Sequence, residues 1–151
     1  MIRFSTKTPK VSRRIFVDTG AWKAWLDKKD RFHQMVEQEF ERCRQENISL
    51  VTTDYIISET LTLLRMRAGL GHALALKFGE IVFRSQVIHL EFINTELFHK
   101  AWEIFRRYQD KDFSFVDCSS FVLMESQGLK EALSLDRHFT QYGFQRYPAI
   151  P

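Results

Sequence analysis

Short β-rich runs alternate with helical segments along this chain, and that alternation admits few folds. Residues 15–17 (Ile-Phe-Val), 49–52, 87–93 and 131–135 read as strands, and 144–147 adds an edge strand. Between the first two lie a short helix over 21–26 and a longer one over 32–46, with Val36, Phe40 and Cys43 on one stripe. Thr53 or Asp54 caps the next helix, whose inward stripe is Ile57, Leu61, Leu64 and Ala68; Gly69 and Gly71 break it. A further helix covers 72–85, with Leu74, Phe78, Ile81 and Val82 inward. Asn94 or Thr95 caps a helix with Leu97, Ala101, Ile104, Phe105 and Tyr108 on one face, and Ser114 opens an apolar helix that ends near Gly128. There is no repeat, linker or low-complexity tract. The pattern predicts an α/β layer structure with a mostly parallel central sheet of four to five strands.

That topology gives four acidic residues a common address. Asp18 follows strand one and Asp136 follows strand four, so both lie at the carboxyl edge where open α/β sheets place ligands. Glu59 is about one and a half turns into the helix leaving strand two, which starts at that edge. Asp117 is in the first turn of the helix feeding strand four. That helix runs opposite to the strand, so its N-terminus returns to the same edge. Taken singly, each has an ordinary reading: a turn former, a surface glutamate, the acid of an S-x-x-D cap with Ser114, a short-helix cap. Taken together those readings weaken, because none of them predicts a common edge.

Such a gathering resists itself. Two unit charges about 4 Å apart repel by roughly 1 kcal/mol in water and about 4 kcal/mol at an effective dielectric of 20. A divalent cation reverses the sign, and hard oxygen ligands select Mg²⁺ or Mn²⁺. The cation also acidifies a bound water and polarises a phosphoryl oxygen.

With 151 residues, 44% of them hydrophobic, the chain suits a single domain with a sizeable core. We divide it into a basic extension over 1–14, one domain over 15–147 and a tail over 148–151. Fourteen phenylalanines are assigned to core packing, as are Trp22 and Trp25. Arg3, Lys7, Lys10, Arg13 and Arg14 make the extension basic, with no acid among its residues, so the formal charge of +3 is local. Such an arm suits phosphates. Cys43 and Cys118 read as small buried hydrophobes, and no Cys/His ligand spacing points to zinc. No membrane span or secretory signal is evident, which fits a reducing cytoplasm. Lys111 and Arg137 flank the proposed cleft and are candidate phosphate contacts. His33, His138 and Ser119–Ser120 have no evident triad geometry and receive no catalytic role.

The strings carrying the acids resemble a known family. Phe16-Val17-Asp18-Thr19-Gly20-Ala21-Trp22 is similar to the opening of PIN-domain nucleases. Glu59 in Ser58-Glu59-Thr60-Leu61 resembles their helical glutamate, Ser114-Phe115-Val116-Asp117-Cys118 their third motif, and Ser134-Leu135-Asp136-Arg137-His138-Phe139 their fourth. The resemblance runs from about 15 to 146 and implies a three-layer α/β/α sandwich. It implies Mg²⁺- or Mn²⁺-dependent hydrolysis of RNA, leaving 5′-phosphate and 3′-hydroxyl ends. Asp18, Glu59, Asp117 and Asp136 would be the catalytic and metal-binding acids, with Thr19 and Ser114 as auxiliary hydroxyls. The compact form resembles VapC-type toxins, which implies a homodimer and an antitoxin partner. A catalytically weak RNA- or antitoxin-binding module on the same fold is the alternative. A phosphomonoesterase of the D-x-D type is a poor fit, because position 20 is Gly.

Overall fold

The computed structural model describes residues 13–67, 69 and 71–150. In chain order its elements are β1 (Arg14–Val17), α1 (Thr19–Leu26), α2 (His33–Gln45), β2 (Ser49–Thr53), α3 (Asp54–Arg65), α4 (Gly71–Arg84), β3 (Ile88–Glu91), α5 (Thr95–Arg107), α6 (Phe115–Ser126), β4 (Glu131–Leu133), α7 (His138–Tyr142) and β5 (Gln145–Tyr147). The five strands form one sheet in the order β3-β2-β1-β4-β5, and every pairing is parallel. Right-handed crossovers send α1–α4 to one face and α5–α7 to the other, giving the three-layer α/β/α sandwich.

Local chemistry explains most element boundaries. The Thr53 hydroxyl accepts from the Ile56 N–H and caps α3, and the Asn94 side chain does the same for α5 from Leu97. Ser114 and Asp117 form a reciprocal capping box at α6. Gly71 opens α4 where a Cβ would lie 2.6 Å from the carbonyl oxygens of Leu64 and Arg65, so only glycine allows that approach.

The core lies on both faces of the sheet. On one, the fully buried Trp22 packs against Phe40 and Phe78, with ring centroids 5.4 and 5.3 Å away. On the other, Phe121 stacks on Tyr142 at 4.4 Å and meets Phe113 and Phe139 edge-on at 5.1 and 5.2 Å. Cys43 and Cys118 are buried free thiols, and burial pushes both up to about 11.

Several expectations need correction. Phe83, Phe92, Phe98 and Phe105 are exposed, so phenylalanine is not uniformly a core residue here. The sequence puts Phe105 on one face of α5 with Leu97, Ala101, Ile104 and Tyr108, yet the buried residues of that helix are Leu97, Ala101 and Ile104. β3 and β4 are shorter than predicted, because β-rich composition continues past the last ladder bond. Ser134 leaves β4 with its N–H on the Tyr147 carbonyl and its hydroxyl turned toward Asp18. Two cations of the basic extension are structural. Arg13 pairs with Glu131 and Glu46, and Arg14 starts β1 and donates to Gln127. Arg3, Lys7, Lys10 and Ala68 lie outside the described residues.

Because Phe121 on α6 is fully buried against Phe139 and Tyr142 of α7, Phe121→Ala should lower stability by about 3–5 kcal/mol. Urea denaturation with a chelator present measures this.

Candidate active site

β1 and β4 are neighbours, but the chain leaves them in opposite directions, β1 toward β2 and β4 toward β5. That divergence opens a crevice at their carboxyl ends. Asp18 ends β1 in extended conformation, and its N–H donates to the Leu133 carbonyl of β4. Asp136 follows β4 by three residues, while α6 and α3 bring Asp117 and Glu59 to the same edge. Asp18, Thr19, Glu59, Ser114, Asp117, Asp136 and Arg137 all line one cleft of about 780 Å³. Lys111 does not line it; its ammonium lies 3.4 Å from Asp110. Arg31, Arg137 and Arg146 form the cationic rim instead.

Hydrogen bonds set the carboxylates one by one. Asp117 Oδ2 accepts the Ser114 N–H at 3.0 Å, and the Asp117 N–H donates to Ser114 Oγ at 3.0 Å. Ser114 is therefore tied up as a cap. The fully buried Ser134 hydroxyl donates to Asp18 Oδ2 at 3.0 Å and accepts the Asp136 N–H at 3.0 Å, linking the ends of β1 and β4. Asp136 Oδ1 accepts the His138 N–H at 2.9 Å.

His138 corrects the sequence reading, which gave it no role. Its Nδ1 lies 2.8 Å from Asp117 Oδ2 and 3.1 Å from Asp136 Oδ2. A triad search misses this residue, because it works by bridging carboxylates rather than by activating a nucleophile. Its position two residues after Asp136, with Ser134 two before, is the signal that was available.

The charges in the cleft are frustrated. Burial, then the charge of Asp117, pushes the Asp18 carboxyl up to about 7, against the Ser134 hydrogen bond. Burial, and more weakly the Asp136 charge, also raises Asp117, opposed by the Ser114 N–H and His138. Among the described residues no lysine or arginine is ion-paired to Asp18, Glu59, Asp117 or Asp136; His138 alone bridges two of them. Thr19 is 5% exposed, and its Oγ1 has no hydrogen-bond partner. Such an orphaned hydroxyl beside under-neutralised carboxylates fits a hydrated dication. Asp117, Asp136 and His138 each offer a ligand atom, all within 4.8 Å of one another. Glu59 stands at the cleft mouth, exposed and outside that tight group.

The family model described as PIN domain matches residues 15–145. The chain is 31% identical over 130 residues to the 23S rRNA-specific endonuclease VapC20 of Mycobacterium tuberculosis, spanning 86% of this chain and 95% of that protein. It is 32% identical over 133 residues to a VapC ribonuclease of Archaeoglobus fulgidus, spanning 82% and 78%. The crystal structure of M. tuberculosis VapC20, described as a Sarcin-Ricin loop cleaving toxin, superposes with a TM-score of 0.79 over 86% of this chain and 95% of that one, at 31% identity. VapBC2 from Rickettsia felis, bound to a promoter DNA fragment, gives 0.66 over 88% and 96% at 7% identity, a likeness of fold alone.

Asp18 and Asp117 bind protons more tightly folded than unfolded, so ionising them costs stability. Metal-free protein should be most stable with respect to these groups below about pH 4, near the unfolded carboxyl value, and lose that contribution as pH rises toward about 7. Thermal melting in chelator across this range should show the decline, and Asp18→Asn should flatten it.

Proposed function

The chain belongs to the PIN-domain family, and on that premise we propose that it is a divalent-metal-dependent endoribonuclease. The observation that supports this most is the convergence of Asp18, Asp117 and Asp136 from three separate elements onto one cleft, without a lysine or arginine partner among the described residues.

Asp18, Asp117 and Asp136 would hold Mg²⁺ or Mn²⁺. When bound, the ion supplies Lewis-acid stabilisation of phosphoryl charge and a more acidic water. Ser134 keeps the Asp18 carboxylate aimed by donating to Oδ2. The capping box does the same for Asp117. Thr19 Oγ1 has the free hydrogen-bonding capacity to anchor a water inside the cleft. Glu59, which lines the cleft from its exposed side, would help orient the attacking water. Arg31, Arg137 and Arg146 on the rim suit the RNA backbone, and an arginine fork matches phosphate geometry. The relatives' names make a ribosomal-RNA loop the first substrate to test.

The same reading includes a toxin role, an antitoxin partner and a cytoplasmic location. No helix among the described residues is long and apolar enough to cross a membrane. It also includes a homodimer, and α5 presents a surface for one. Phe98, Trp102 and Phe105 are 42%, 48% and 43% exposed and form one ridge. Phe115 joins Phe98 and Phe105 to Tyr55 on α3.

Asp117→Asn should fold normally and cleave RNA at least about a hundredfold more slowly in Mg²⁺ or Mn²⁺. Mapping RNA 5′-ends after brief expression of each form reads both activity and target. RNA binding in EDTA with no cleavage after Mn²⁺ is added would instead support the binding module. Trp102→Glu should shift the protein from dimer to monomer in light scattering after size exclusion, because it puts a charge in the middle of the ridge.

A further inference from the structure

His138 stands in the cleft with its ring already positioned. Its backbone N–H is fixed on Asp136 Oδ1, its ring meets Phe113 edge-on at 5.5 Å, and the next residue, Phe139, is anchored in the core. The carboxylates it faces are held as firmly, Asp117 by its capping box and Asp136 through Ser134 and the His138 N–H. The separations from Nδ1 are 2.8 Å to Asp117 Oδ2 and 3.1 Å to Asp136 Oδ2. Neighbouring ligand atoms on an octahedral shell with bonds of about 2.1 Å lie about 3 Å apart. Nδ1 thus stands at adjacent-donor spacing from both oxygens, and the ligand atoms of the three residues lie within 4.8 Å of one another.

We propose that His138 Nδ1 is a protein ligand of the cation site, alongside Asp117 Oδ2 and Asp136 Oδ2, and that this nitrogen biases the site toward Mn²⁺ over Mg²⁺. The inference rests on the metal-dependent reading above and deepens it. Mg²⁺ favours oxygen donors and retained water, whereas imidazole suits first-row transition ions. The ligating tautomer carries its proton on Nε2 and offers the Nδ1 lone pair to the ion. The competing role is a counter-charge, an imidazolium that neutralises the empty carboxylates and must withdraw when an ion enters. The two roles predict opposite effects of removing the ring.

The test uses the full chain, stripped with EDTA and loaded with substoichiometric Mn²⁺. Electron spin-echo envelope modulation detects nitrogen bound to the ion, and Mg²⁺ competition gives the ratio of the two affinities. Wild type should show coordinated-imidazole ¹⁴N modulation. His138→Gln and His138→Asp, checked for folding by thermal melting in EDTA, should lose it. Their preference for Mn²⁺ over Mg²⁺ should fall by about tenfold or more, while His138→Asp, an all-oxygen site, keeps Mg²⁺ affinity. Mn²⁺ bound by wild type without ¹⁴N modulation would overturn the proposal, even if neither variant folded. So would a variant that binds Mn²⁺ more tightly than wild type, the signature of a lost counter-charge. RNA cleavage by a wild type lacking nitrogen modulation would leave the nuclease reading intact. A protein that neither binds Mn²⁺ nor cleaves RNA overturns both.

Discussion

The repulsion among three carboxylates at the junction of β1 and β4 organises the rest of this molecule. Asp18 and Asp117 are nine-tenths buried; the charge of Asp117 raises the cost of ionising Asp18, and the charge of Asp136 raises that of Asp117. Among the described residues, only the Ser134 hydroxyl, the Thr19 and Ser114 backbone and His138 oppose that cost in the absence of an ion. The remainder of the fold must hold the groups together, and it does so with parts unrelated to chemistry: two aromatic cores, a parallel ladder and side-chain caps. Strain of this kind is typical of sites where binding, rather than stability, sets the requirement.

The hydrogen bonds at the site act as position-setters more than as stabilisers. Ser134 joins the carboxylate after β1 to the backbone after β4, so one buried hydroxyl reinforces the backbone bond between Asp18 and Leu133. The Ser114–Asp117 box has two functions at once: it starts α6 and aims a carboxylate. The ordinary reading of that sequence, a cap, holds, and it is compatible with the proposed ligand role, because a capping carboxylate keeps lone pairs free for an ion.

The exposed ridge on α5 has a related logic. Its helix carries two apolar faces, Leu97–Ala101–Ile104 toward the sheet and Phe98–Trp102–Phe105 toward solvent. A single period-3.6 stripe cannot account for both, which is why one face predicted from periodicity joins the exposed Phe105 to the buried Leu97, Ala101 and Ile104. Position along a helix says which residues share a face, but not which of two faces meets the core.

The alternation of strand and helix, legible in the residues themselves, determined the parallel sheet, since helical crossovers of this length join strands running the same way. From that follows the common edge of Asp18, Glu59, Asp117 and Asp136; local residue patterns pointed to the cap at Ser114, to Thr53 or Asp54 and Asn94 or Thr95 for two others, and to burial of both cysteines. The tertiary structure alone decided the strand order, and hence that β1 and β4 adjoin. It also decided that His138 and Ser134 enter the cleft, that Lys111 stays out, and that Arg31 and Arg146 take the rim. Periodicity and capping are local and survive in a linear string. Strand order and side-chain reach depend on packing between residues more than a hundred positions apart, as in the 116 that separate Asp18 from Ser134.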